Sequence, residues 1–264
     1  MFLPRGFPLH PLPVSCSISL MYMDRIKVMF SHTSVQMLFG LWLFGWGLLI
    51  ATGNMHLLWL APFGILAQML NEYSTHRYLF HWPAPRSQFW FDLLYRVHYG
   101  HRDFPNKPAL FFVPVWFAVP VALINGVLAY GVLSLLGMAN TLIGATTFTF
   151  IGGITTFLLY EWFHMTAHTN VKKWAVERHV TRLHGMHHFR NYQRWYHVTP
   201  GGELIDKITN TAIPTEEIKQ KGRIQFLSTL GLQPDDDRLV SARQRFGPKY
   251  GITKEEILRA QSRR

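Results

Sequence analysis

The sequence predicts an all-α integral membrane protein in which four transmembrane helices, paired as two hairpins, bring a dense set of histidines to one membrane face. Three observations carry that expectation. Hydrophobic residues make up 48% of the 264 and fall mainly in two blocks, 35–73 and 109–163. No Lys or Arg occurs between Lys27 and Arg77, nor between Lys107 and Lys172, a pattern usual in membrane-spanning chains and rare in soluble ones. Most of the 14 histidines lie where the blocks end.

The chain divides into an N-terminal arm (1–33), a membrane domain (34–210) and a soluble helical tail (211–264). Pro4, Pro8, Pro11 and Pro13 break the apolar run of the arm, so it reads as flexible and not as a signal peptide, with Met21 or Met23 as alternative starts. A helix needs about 20 residues to cross the hydrocarbon core, and each apolar block holds two such lengths. The spans are 35–53 and 56–73, joined by a Gly-Asn-Met turn, then 109–137 and 141–163, joined by Gly-Met-Ala-Asn. Pro114 and Pro120 predict a tilt or kink in the third span. Gly144, Gly152 and Gly153 predict close packing of the fourth. In the tail, Thr253 followed by Glu256 is a capping box that opens the last helix.

Two hairpins place both termini and the 74–108 connector on one side. All Lys and Arg fall on that side too, so the distribution of cations makes it the cytoplasmic one. The net charge of +11 therefore points to anionic lipid headgroups and not to nucleic acid. Cys16 is the only cysteine, which excludes disulfide scaffolds and thiolate metal sites. Any metal must be held by nitrogen and oxygen.

The histidines form four sequence groups: His76 and His81; His98 and His101; His164 and His168; His184, His187 and His188. His164 and His168 are four apart and share a helix face, as do His184 and His188. His76 and His81 are five apart, which predicts that the helix loosens before Pro83 and lets His81 turn back. Neutral imidazole is the commonest metal ligand, and nine candidates, with His179 and His197 as possible additions, suit two metals better than one. Glu72, Glu161 and Asp103 stand near enough to orient imidazoles through their second nitrogens, whereas Asp92 reads as a surface or capping residue.

On these residues the chain resembles the fatty acid hydroxylase and sterol desaturase superfamily of membrane di-metal oxygenases. The resemblance runs through HxxxxH at 76–81, HxxH followed by DFP at 98–105, HxxxH at 164–168, HxxHH at 184–188 and the stretch 189–200. It covers about 35–210. It implies four spans under a cytosolic helical cap and a centre of two irons per chain. It further implies O2-dependent hydroxylation or desaturation of a lipid such as a fatty acyl chain or sterol. Zinc has no redox chemistry, so attack on a C–H bond calls for iron. No fused electron-carrying motif is visible, so a separate donor, cytochrome b5-like or ferredoxin-like, is expected to dock on the basic face. The chain departs from the family where the second group ends in paired histidines, because Arg102 stands in the last position. Arginine stays protonated and cannot ligate a metal. Two other readings follow: a relative with an incomplete metal site, marked by Arg102, and a membrane haem cytochrome.

Overall fold

The computed structural model describes residues 22–213, 227 and 230–262. Among these the protein is all-helical, with no β-strand. Three helical stretches are long and apolar enough to cross a membrane: Thr33–Ala51, Pro108–Leu135 and Thr141–His168. They make this a membrane protein.

Helix α1 (Tyr22–Phe30) leads into α2 (Thr33–Ala51). Met55–Leu60 then winds as a 3₁₀ turn into α3 (Ala61–Ser74). After α4 (Gln88–Leu94) and the short α5 (Gly100–Asp103), α6 (Val115–Leu135) begins immediately after Pro114 and contains Pro120. Helix α7 (Thr141–Thr146) continues through a π-helical stretch, Thr147–Gly153, into α8 (Ile154–His168). Beyond it lie α9 (Ala175–Phe189), α10 (Glu203–Ile208), α11 (Asp237–Phe246) and α12 (Lys254–Gln261).

Apolar side chains cover the outside of the spans, as a lipid solvent demands. Phe44, Ile50, Val127 and Leu135 are all exposed, positions that would be costly in water. The predicted second span, 56–73, falls in the helical run Met55–Phe80 but is not among the three long apolar helices. It carries Gln68, Asn71 and Glu72 on the face turned to an internal cavity, which lowers its apolar character. Its backbone approaches the π-helical stretch closely: a Cβ on Gly64 would lie 1.8 Å from the Phe148 carbonyl oxygen, and one on Gly152 2.3 Å from that of Ala61. Of the three glycines expected to pack closely, Gly152 meets backbone, Gly144 meets the Leu60 and Leu133 side chains at 3.2 and 3.3 Å, and Gly153 meets only ordinary contacts.

Of the arm expected over 1–33, residues 1–21, with Cys16 and Met21, lie outside the described residues. Residues 22–30 form α1. Its Arg25 is buried and reaches the carboxylate of Glu177 at 3.4 Å, while Trp162 donates to the same carboxylate at 3.0 Å. That contact anchors α1 against α8 and α9. Part of the tail, 214–226, also lies outside the described residues. The Thr253–Glu256 capping box is formed, with Glu256 N–H donating to Thr253 Oγ1 at 3.2 Å.

The tail closes over the connector. Phe91, Tyr95 and Tyr99 pack with Leu232, Leu239 and Ala242 of the α11 region. Arg243 is fully buried and makes a two-pronged pair with Asp103, Nε to Oδ2 at 2.8 Å and Nη2 to Oδ1 at 3.0 Å. A buried arginine is tolerated in that geometry because both carboxylate oxygens meet a guanidinium N–H.

Candidate metal centre

The nine histidines singled out by sequence converge into two adjoining groups. His101, His164, His168, His184 and His188 form one, and His76, His81, His98 and His187 the other. Within each group one ring nitrogen per residue lies within 4.8 Å of all the others. The groups adjoin: the His187 ring of the second lies 5.9 Å from His188 and 6.0 Å from His184 of the first.

Local helix geometry produces this division. In α9 a residue advances about 100° per step, so His184 and His188 face the five-histidine group while His187, turned away from both, faces the other. The helix thereby serves both groups from one edge. His76 and His81 meet because Thr75–Phe80 is π-helical, and a π turn places residues five apart on one face. Their rings lie 5.0 Å apart. A second π turn, Tyr95–Tyr99, carries His98, and His101 follows in α5 and joins the opposite group.

Backbone carbonyls orient three of the rings. Nδ1 of His76 donates to the Tyr196 carbonyl at 2.5 Å, that of His164 to Phe111 at 2.6 Å and that of His187 to Arg194 at 2.6 Å. A carbonyl can only accept, so in each ring the proton sits on Nδ1 and the Nε2 lone pair faces inward. The carboxylates expected to do this work do not touch an imidazole of either group. Glu72 instead accepts from Val198 N–H at 2.6 Å and Thr199 N–H at 3.1 Å, and Glu161 accepts from Val113 N–H at 3.0 Å. They hold the strands of chain whose carbonyls, two residues away, hold His76 and His164. The acids act one step further out than expected because a carboxylate reaches backbone N–H groups that no helix satisfies. Asp103 is committed to Arg243.

His179 and His197 stand outside both groups. His179 pairs with Glu203 at 3.0 Å near the surface. His197 is buried with both ring nitrogens engaged, Nδ1 with Asp206 at 2.9 Å and Nε2 with the Met69 carbonyl at 3.0 Å. Burial alone would lower its pKa, but the Asp206 hydrogen bond and nearby carboxylates raise it above the ordinary value. Asp92 pairs with Gln88 and Arg245.

The ring nitrogens fit a metal better than they fit one another. His101 Nε2 lies 3.1 Å from both His164 Nε2 and His168 Nε2, and His168 Nε2 lies 2.8 Å from His184 Nε2. Each such nitrogen holds one lone pair or one proton, so it cannot satisfy two neighbours at once. A cation among them satisfies all. Nitrogens about 2.1 Å from a metal and at right angles to each other sit about 3.0 Å apart, the spacing seen. Nε2 of His76, His187 and His188 are buried with no hydrogen-bond partner. Burial above all, with neighbouring imidazoles adding to it and Arg102 too for all but His184, holds His98, His101, His184, His187 and His188 well below the ordinary imidazole pKa, which keeps them neutral at pH 7, as ligands must be. An all-imidazole set suits iron, zinc, copper or nickel by softness.

Arg102 is buried beside this site, with Nη2 donating to the His187 carbonyl at 3.1 Å. Burial lowers its pKa to about 9, opposed by Tyr192 and Tyr196, so it remains a cation at neutral pH.

A cavity of about 330 Å³ runs from His76, Phe80 and Tyr160 up between α3, α6 and α8 to Val132 and Leu133. An apolar pocket was expected from the sequence, but not which side chains line it, since they come from separate helices.

Two adjoining polyhistidine groups at the end of an apolar cavity define a membrane protein whose histidines could hold metal beside an apolar space. The family model described as fatty acid hydroxylase matches residues 61–211, more than half of the chain, and the chain belongs to that family. It is 27% identical over 164 residues to a dihydroceramide fatty acyl 2-hydroxylase of Arabidopsis thaliana, covering 58% of this chain and 60% of the relative. Its fold is similar to the solved structure of full-length Scs7p, in which only the hydroxylase domain is visible, with a TM-score of 0.58 and 23% identity. That match covers 67% of this chain and 64% of the other. The chain thus spans under two thirds of the length of either relative.

Proposed function

We propose that the protein is a membrane di-iron oxygenase that hydroxylates the acyl chain of a lipid. The observation that carries the reading is the apolar cavity ending at His76, a member of the four-histidine group. The nine histidines of the two groups are the proposed ligands, and two irons per chain the proposed load. The plant relative's name, a fatty acyl 2-hydroxylase, favours hydroxylation over desaturation and an acyl chain over a sterol. Bound iron would supply the redox chemistry, combining O2 with two electrons and two protons to place one oxygen atom in a C–H bond and release water.

The chain's own residues do the rest. The cavity binds the acyl chain and excludes water, and the Tyr196, Phe111 and Arg194 carbonyls fix His76, at the cavity's end, and His164 and His187 of the two groups. We place the second of the four spans in α3, so that the spans pair as two hairpins with the histidines, the helical cap and both termini on the cytoplasmic side, as the cation distribution argues. Electrons come from a separate cytochrome b5-like or ferredoxin-like donor on the basic cap.

Arg102 favours one second reading, a relative whose four-histidine group holds metal weakly. One assay addresses both readings. The iron-loaded protein, given O2, a chemical reductant and an N-acyl sphingoid lipid, is expected to add one oxygen atom to the acyl chain, read by mass spectrometry. Product from the wild type supports hydroxylation. No product from the wild type, with product and fuller metal occupancy from Arg102→His, would establish the second reading and overturn the first.

A further inference from the structure

The cavity is apolar along most of its length, yet two polar side chains open into it far from the histidines. Thr149 lies in the π-helical stretch, 4% exposed, and its Oγ1 is buried with no hydrogen-bond partner. This departs from its neighbours, since Thr147 and Thr155 satisfy their hydroxyls on carbonyls one turn back. Asn125 of α6 lines the same cavity. The next residue, Gly126, keeps α6 from covering the hydroxyl: a Cβ there would sit 3.8 Å from Thr149 Oγ1. In a membrane interior, an unsatisfied polar side chain costs free energy and marks a functional position.

The two groups lie at the level of Gly64, which packs against Phe148. Twelve residues separate Gly64 from His76, so at 1.5 Å per residue the polar station is about 18 Å from the four-histidine group. An extended palmitoyl chain has that reach. Asn offers both a donor and an acceptor, and Thr offers the same through one hydroxyl.

We propose that Asn125 and Thr149 form a recognition site for an oxygen function, a hydroxyl above all, at the end of the lipid chain remote from the histidines. The inference rests on the cavity being the acyl channel of the proposed function, and it specifies the substrate: a long chain bearing a polar group at its far end.

Calorimetric titration of the detergent-solubilised full chain with palmitate and with ω-hydroxypalmitate, without reductant, tests it. The wild type is expected to bind ω-hydroxypalmitate about tenfold more tightly, the worth of one or two buried hydrogen bonds. Thr149→Val, which keeps shape, and Asn125→Leu are expected to leave palmitate binding unchanged and to erase the preference. Equal binding of both lipids by the wild type, or a preference retained in both variants, would overturn the recognition site and leave the channel standing. Failure of both lipids to bind would overturn the recognition site and the channel together.

Discussion

Replacing His187 by alanine is expected to empty the four-histidine group of metal and reduce turnover below detection while the fold is retained. His187 is fully buried, its Nδ1 is held by the Arg194 carbonyl, and its Nε2 meets no protein partner. Its removal leaves three imidazoles in that group, with the Arg102 cation beside them. Loss of a supporting outer contact alone costs about 10- to 100-fold in metal affinity, and loss of a ligand costs more. Metal content is expected to drop by one per chain, because the five-histidine group keeps its full set. His188→Ala provides the contrast: it leaves four imidazoles in the larger group, so it should retain more metal. Unchanged metal content and turnover in His187→Ala would remove His187 from the ligand set.

The second large effect is expected far from the metal. Arg243→Ala leaves Asp103 buried without its guanidinium, and breaking a buried pair by removing one partner costs about 3–5 kcal/mol. For a chain of this size that corresponds to a fall of about 10 °C in the thermal midpoint. Asp103 directly follows Arg102 and His101, and its partner sits on α11 of the tail, so the pair clamps the cap onto the connector that carries the second histidine motif. Loosening it should also weaken metal retention. Thermal unfolding of the detergent-solubilised protein measures the first effect, and a change under about 2 °C would mean the pair contributes no net stability.

Much of this site is legible in the sequence, for a definite reason. Histidine is a polar residue at the end of an apolar span, and local spacing fixes which helix face it shares. The nine histidines were therefore identifiable, but their partition was not. His98 and His101 separate into different groups, as do His187 and His188, because the division depends on where four other helices stand. The five-residue interval between His76 and His81 did carry a signal: it is the period of a π turn, and the loosening expected there takes that form.

The long-range contacts were out of reach. The carbonyls of Tyr196, Phe111 and Arg194 leave no trace in composition, since every residue has a carbonyl. Glu72 and Glu161 were recognisable as important acids, but their partners, backbone N–H groups at 198–199 and 113, are set by tertiary packing. Arg243 lies 140 residues from Asp103, and nothing in α11 marks it as buried. The Thr253 capping box was readable because it acts within one turn. The polar face of α3 explains the difference at 56–73: the residues that line the cavity dilute the apolar pattern by which a span is recognised.

The central claim is a pair of metals held by nine imidazoles, and metal content per chain tests it most directly. Protein purified in detergent and loaded anaerobically with ferrous iron is expected to retain close to two irons per chain after desalting, by elemental analysis. One iron or none per chain would contradict the di-iron account.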